Sequence, residues 1–352
     1  MTDNPEPQFQ FQYQQPWAPP QPGVIPLRPL DLGALFGGSF KVMFREWKPM
    51  ILVPFVANLV VGGVEVPLLA SAFADFPDVT RPPVTFDGVW PFLRDILVMV
   101  VVSLVLGLLA WLVTQVIATV TVSRAVLGRH TTIGQALRVG APRMLPLFGL
   151  AALIWLIVAA CSVLPFTVVL VLAAVARSAG LILLAFLVGL IGLCAGAYFY
   201  TTFALAQAAL IMEPQPVLTA LRRSRWLVRD NWWRIFGITL LASLMVSVVS
   251  YVAQTPLQFT SAISSAYTIN PAGEANAAEL IRSALSPATM IVYVFVTALV
   301  AAVGQPFING VTTLLYHDMR IRKESFHQPL LAMSQLPDDL SPQPTSHPEA
   351  TM

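Results

Sequence analysis

Five stretches of the chain, 96–123, 144–176, 178–212, 235–273 and 283–317, contain no Asp, Glu, Lys or Arg and are dominated by Leu, Val, Ile, Ala and Phe. Each is longer than the ~20 apolar residues that span a hydrocarbon core of ~30 Å. A sixth apolar run begins at Met50 and is broken by one charge, Glu65. Runs such as Leu97-Val-Met-Val-Val-Val-Ser-Leu-Val-Leu do not alternate in polarity, as the strands of a membrane β-barrel would. The pattern predicts an all-α integral membrane protein with spanning helices at about 50–73, 96–123, 146–172, 181–210, 235–255 and 288–316.

Composition sharpens this reading. Of the 352 residues 56% are apolar and 11% charged, against about 25% charged in soluble domains, which excludes an ordinary soluble enzyme. Residues 1–30 hold eight prolines and six glutamines and are expected to form a disordered tail that cannot bury a core. The predicted membrane domain is 31–327, and 328–352 is a second Pro- and Ser-containing disordered tail. With no Lys or Arg before Arg28 and no apolar run before Met50, no cleavable signal peptide is expected, and the first spanning helix directs insertion.

Counting Lys and Arg between the spans gives sixteen on one side, among them Lys41, Arg45, Arg124, Arg138, Arg143, Arg222, Arg229, Arg234, Arg320 and Arg322. The other side carries four: Arg81, Arg94, Arg177 and Arg282. The asymmetry predicts a protein of the cytoplasmic membrane with both termini cytoplasmic. The loops 74–95 and 256–287, with Asp75, Asp78, Asp87, Asp95, Glu274 and Glu279, are expected outside.

A repeat emerges from the inner segments. Ala34-Leu35, Ala136-Leu137 and Ala220-Leu221 each open an amphipathic stretch that leads into a spanning helix, so the expected unit is one amphipathic helix followed by two crossings, three times over. At 100° per residue Leu32, Phe36, Phe40, Met43 and Trp47 share one face, away from Lys41, Arg45 and Lys48. Val217, Leu221, Ser224 and Val228 likewise oppose Arg222, Arg225 and Arg229. Such helices are expected to lie along the inner headgroup region, cations toward anionic lipid.

Candidate chemistry is sparse. Glu65 is the one ionisable residue inside a predicted span, a functional candidate because burying charge in hydrocarbon is costly. It follows Gly62-Gly63 and precedes Pro67, where the helix is expected to bend or end. Gln115, Gln207, Gln305 and Asn309, with Thr114, Tyr198, Tyr200, Thr201 and Thr202, recur in the second helix of each pair and would line a shared cavity or bond neighbouring helices. Gly189, Gly192 and Gly196, and Ala301 with Gly304, offer notches for close packing, while Pro165 and Pro306 interrupt apolar helices. Arg222, Arg225, Arg229, Arg320 and Arg322 are candidates for lipid or partner contact at the inner face, although positive-inside topology alone accounts for them. Cys161 and Cys194 read as small buried hydrophobes, and the four histidines as solvated side chains. No metal-ligand spacing, P-loop, dinucleotide motif or nucleophile elbow occurs, so no metal, cofactor or catalytic residue is expected.

Two stretches carry a family resemblance. The opening Ile25-Pro-Leu-Arg-Pro-Leu-Asp-Leu-Gly-Ala-Leu-Phe-Gly-Gly-Ser-Phe40 and the close Leu314-Leu-Tyr-His-Asp-Met-Arg-Ile-Arg-Lys-Glu324 are similar to the two ends of a family of actinobacterial multi-spanning proteins. That family resembles the membrane domain attached to some bacterial glycerophosphodiester phosphodiesterases. The resemblance implies a helical membrane domain. It does not extend to the phosphodiesterase activity, because no segment outside the spans is long enough to hold the hydrolase domain.

The leading expectation is a non-catalytic membrane module in envelope or lipid handling. It would bind membrane lipids, or a protein partner through its cytoplasmic face or tails, and no nucleic acid. The competing expectation is a transporter of a small solute or lipid, with Glu65, Gln115, Gln207, Gln305 and Asn309 facing a central path. A third, an intramembrane lipid enzyme, has only His317 with Asp318 as an acid-base pair.

Overall fold

The computed structural model describes residues 23–25, 28–74, 86–213, 215–267, 287–324, 329–330 and 332. The acidic residues Asp75, Asp78, Glu274 and Glu279, the side chain of Asp87, two of the four outer cations, Arg81 and Arg282, and most of both tails lie outside them. All regular structure among the described residues is helical. Among the described residues, six helical segments are long and apolar enough to cross a membrane: Lys48–Ala72, Val89–Val126, Ile133–Ala176, Gly180–Met212, Trp232–Pro256 and Thr289–Glu324. The chain is a polytopic helical membrane protein.

The elements are α1 (Leu32–Arg45), α2 (Val53–Ala74), α3 (Phe86–Val126), α4 (Ile133–Gly140), α5 (Met144–Cys161), α6 (Val163–Ala176), α7 (Ala179–Phe203), α8 (Ala206–Met212), α9 (Val217–Val228), α10 (Trp232–Tyr267) and α11 (Pro287–Glu324). Local chemistry sets the boundaries. The Asp31 side chain accepts from Ala34 N–H at 2.7 Å and caps α1. Thr132 and Gln135 form a reciprocal capping box at α4. Gly128, at φ 82°, turns the chain out of α3, a backbone state that other residues adopt only with strain. The expected interruption at Pro165 falls at Ser162, where α5 gives way to α6 and the Ser162 hydroxyl turns back to Val158 C=O. Pro67 and Pro306 instead sit inside continuous helices, so the helix beside Glu65 does not end there.

The threefold unit is visible in the packing. Each first crossing lies between the second crossing of its own pair and that of the preceding pair: α2 between α3 and α11, α5 between α7–α8 and α3, α10 between α11 and α7. Each amphipathic helix docks on the second crossing of the preceding pair in the same cyclic sense, α4 on α3, α9 on α7–α8, and α1 on α11. The second crossings therefore surround a pseudo-threefold centre. At 41 and 38 residues, α3 and α11 extend roughly 60 Å, well beyond the hydrocarbon core. The second pair differs, since its inner helix breaks at Ala204–Leu205 and resumes as α8.

Buried positions gather at the end of the bundle that carries α1, α4 and α9, called the basic end below. Toward the other end the helices present Leu, Val, Ile and Phe outward, as lipid-facing surfaces do.

The structure defines the protein-facing side of α1 and corrects two sequence expectations. The face of α1 buried by the protein is Leu35, Gly38, Ser39, Val42 and Met43, whereas Leu32, Phe40 and Trp47 remain exposed. The helix has two apolar flanks, and small residues set the buried one: Ser39 donates to Phe307 C=O at 3.0 Å, and Gly310 faces Ser39 so closely that an added Cβ would stand 2.2 Å from its hydroxyl. The tail boundary at residue 30 also moves, because Val24, Ile25 and Leu30 are buried and Val24 N–H donates to Ala125 C=O at 3.2 Å. The Pro-rich composition hid this strap, whose few apolar residues suffice because the helix ends already offer a floor. Finally, Cys194 is exposed and Cys161 half-buried, on helices whose flanks face lipid. The expected glycine notch does form, with Gly192 and Gly196 against Ser162.

Candidate functional site

The four uncharged polar candidates come together. Gln115 of α3, Gln207 of α8, and Gln305 and Asn309 of α11 line one cavity of about 240 Å³, shared with Trp111, Ile154, Trp155, Tyr200, Phe203, Thr239, Ser243 and Thr312. All three helix pairs contribute, as a site on the pseudo-threefold centre requires. Gln115 lies eleven residues before the basic end of α3, ~16 Å along the helix, so the cavity is inside the spanning region. Trp155 and Tyr200, 67% and 54% exposed, place its mouth on the lipid-facing flank, where α10 meets α7 only sparsely.

Hydrogen-bond accounting separates these residues. Gln115 Nε2 donates to Gln207 Oε1 at 2.8 Å. Thr239 and Thr312 turn their hydroxyls back to carbonyls of their own helices. The carboxamides of Gln305 and Asn309, one turn apart, have no hydrogen-bond partner in the protein among the described residues. Leaving an amide unpaired in an apolar medium costs about 2–7 kcal/mol, depending on the reference state. The cavity therefore offers donors and acceptors to whatever enters it, without a formal charge on its wall.

Glu65 does not join this set. It sits half-buried on α2, a first crossing on the periphery, and its carboxylate has no hydrogen-bond or ion-pair partner among the described residues. Of the five residues expected to face a central path, Glu65 is the one outside the lining of this cavity.

Nearer the basic end lies a charged layer. Asp318, fully buried, accepts from Leu30 N–H at 2.7 Å, from Arg234 at 2.5 Å and from Arg322 Nε at 3.0 Å. Arg234 and Arg322 also donate to Leu30 C=O, so Asp318 clamps the N-terminal strap to α11. Glu213, at the end of α8, accepts from the Tyr316 hydroxyl and from Arg223, and Arg320 stands 3.6 Å away. Glu324 pairs with both Arg223 and Arg320. Burial works against the Arg223 charge, but Glu213 and Glu324 outweigh it and hold the guanidinium above its ordinary pKa. Arg143 donates to the Leu210 and Ile211 carbonyls, which α8 leaves open at its end.

This layer changes two readings. Arg320 and Arg322 are engaged by carboxylates of the protein and act as structural ties. His317 is fully buried rather than solvated, and neither ring nitrogen has a hydrogen-bond partner. With Asp318 committed elsewhere, the two do not form the acid-base pair of the intramembrane enzyme reading. Glu213 and its partners went unnoticed in the sequence; the available signal was a lone acid closing a long uncharged run.

Arg222, Arg225 and Arg229 remain exposed. They edge a groove of about 530 Å³ with Tyr198, Thr202, Trp226, Val228 and Trp232. The stretches 25–40 and 314–324, far apart in sequence, meet where α1 and the strap pack on α11. Comparison with family models, curated proteins and solved structures finds no match to this chain.

Proposed function

We propose that this chain is a non-catalytic membrane module that binds a bilayer lipid in its central polar cavity, with the basic end in the cytoplasm. The observation that carries the reading is the pair of unpartnered carboxamides, Gln305 and Asn309, in a cavity whose mouth faces lipid. At about 240 Å³ the cavity holds several waters at ~30 Å³ each, or the ester-linked polar region of one lipid, but not a whole lipid. Its uncharged wall suits a neutral hydrogen-bonding group on an otherwise apolar molecule. The family resemblance of the two terminal stretches agrees with a membrane module in lipid handling.

The test is native mass spectrometry of protein released from lipid nanodiscs. Wild type should retain a lipid that the Gln305→Leu/Asn309→Leu double variant loses. Equal retention by both would overturn the reading.

One observation favours a second reading, carriage of that lipid across the bilayer. The break between α7 and α8 borders the cavity, as interrupted helices border substrate sites in transporters. In proteoliposomes carrying a fluorescent lipid, a module leaves transbilayer exchange at the protein-free rate, whereas a carrier accelerates it in a manner lost in Gln207→Leu.

A further inference from the structure

Arg222 and Arg229 are seven positions apart on α9 and its C-cap, and Arg222, Arg225 and Arg229 fall within about 60° of one helical face. Arg223, one position away, points inward to Glu213 and Glu324. No carboxylate bonds or ion-pairs with the three outward guanidiniums among the described residues. The nearest acid in sequence, Asp230, is taken by Lys323 at 2.6 Å.

The groove beside them is a built concavity. Trp232 forms its far wall, stacked on Tyr198 at 5.8 Å and on Phe236 at 5.1 Å, and its indole N–H is directed at Tyr198 C=O. Trp226 closes the other side, its ring held by the Arg223 and Lys323 cations. Aromatic rings of this kind sit at the headgroup level of a bilayer, and guanidinium forks match phosphate oxygens. Three cations along one groove, with only the exposed Asp230 carboxylate acting on Arg229 and none paired to Arg222 or Arg225 among the described residues, framed by interfacial aromatics, call for a phosphate that arrives from the bilayer surface.

The groove and the cavity are built on the same two helices, α7 and α10. Tyr198 and Thr202 belong to the helix that presents Tyr200 and Phe203 to the cavity, and Trp232 stands seven residues before Thr239 on α10, ~10 Å along the axis. We infer that Arg222, Arg225 and Arg229 bind the phosphate of an anionic phospholipid, whose acyl-linkage region then enters the α7–α10 cleft toward the cavity. The inference rests on the lipid-binding reading and adds the headgroup class and its seat.

The full chain is reconstituted in nanodiscs of mixed phosphatidylcholine and phosphatidylglycerol, and the retained lipids are identified after transfer to detergent. Wild type should enrich phosphatidylglycerol. Each Arg→Gln change should lower that preference roughly fivefold, and the Arg222→Gln/Arg225→Gln/Arg229→Gln variant on the order of a hundredfold, at ~1 kcal/mol per surface cation. Arg138→Gln, an exposed cation at the same end, should change nothing, and an equal effect there would reduce the site to general surface charge. Inorganic phosphate should not displace the lipid; if it binds alone and displaces it, the site belongs to a soluble phosphate. Lipid retained without a phosphatidylglycerol preference overturns this inference and leaves the cavity reading standing. Lipid not retained at all overturns the cavity reading itself.

Discussion

Replacing Asp318 by Asn removes the charge that joins the strap, α10 and α11. The carboxylate is fully buried and accepts from Leu30 N–H, Arg234 and Arg322. Breaking a buried pair by removing one partner costs about 3–5 kcal/mol, because the other charge is left uncompensated. Here Arg234 and Arg322 are 28% and 32% exposed, so water relieves part of that cost and the lower figure, about 3 kcal/mol, is expected. For a chain of this size each kcal/mol moves the unfolding midpoint by roughly 2 °C, which gives a drop of about 6 °C. Thermal unfolding in detergent, followed by tryptophan fluorescence, measures it. The same variant should expose the strap at residues 23–30 to protease, since Leu30 loses its acceptor. Asp230→Asn is the internal contrast: Asp230 is 70% exposed, and loss of its surface pair with Lys323 should leave the midpoint near that of wild type. A midpoint within 1 °C of wild type for Asp318→Asn, with the strap still protected at roughly the wild-type level, would refute the reasoning.

Further consequences follow from packing. Gly310→Ala would place a Cβ 2.2 Å from the Ser39 hydroxyl, which is held by Phe307 C=O, and should destabilise by about 1–3 kcal/mol, as overpacking does; Gly37→Ala, with no neighbour within 4 Å, should instead stabilise α1 by up to ~1 kcal/mol, and the two are compared by thermal shift. A double-mutant cycle with Gln115→Leu and Gln207→Leu should give a coupling of about 0.6 kcal/mol, the average for hydrogen bonds between membrane helices, measured by unfolding in mixed micelles. Arg143→Ala strips the carbonyls of Leu210 and Ile211 of their donor and should cost about 1–3 kcal/mol, with hydrogen exchange rising first in α8.

The sequence made the spans, their pairing and most of the cavity legible for one reason. In a bilayer, polar side chains on inner helices stand out against hydrocarbon-facing residues, so Gln115, Gln207, Gln305 and Asn309 could be picked without knowing their partners. Glu65 misled because charge within a span signals function, but it lies on α2, which contributes no residue to the cavity lining, whereas α5 and α10 do. Thr239 and Ser243 were missed because small hydroxyl residues on α10 are common in any membrane helix. The charged layer was illegible for a different reason. Asp318 meets Leu30 across 288 positions and Glu213 meets Tyr316 across 103, and nothing local tells a cation that anchors to lipid from one that ties two helices. Arg320 and Arg322 were therefore assigned to the membrane surface, while Arg222, Arg225 and Arg229 stayed exposed.

The most direct test of lipid binding at the cavity is a density map of the protein in nanodiscs made from its native membrane. An elongated density should enter between α7 and α10 and end within hydrogen-bond reach of Gln305 and Asn309. A cavity filled only by water, with Gln305 and Asn309 bonded to it and lipid confined to the outer flanks, would contradict the account.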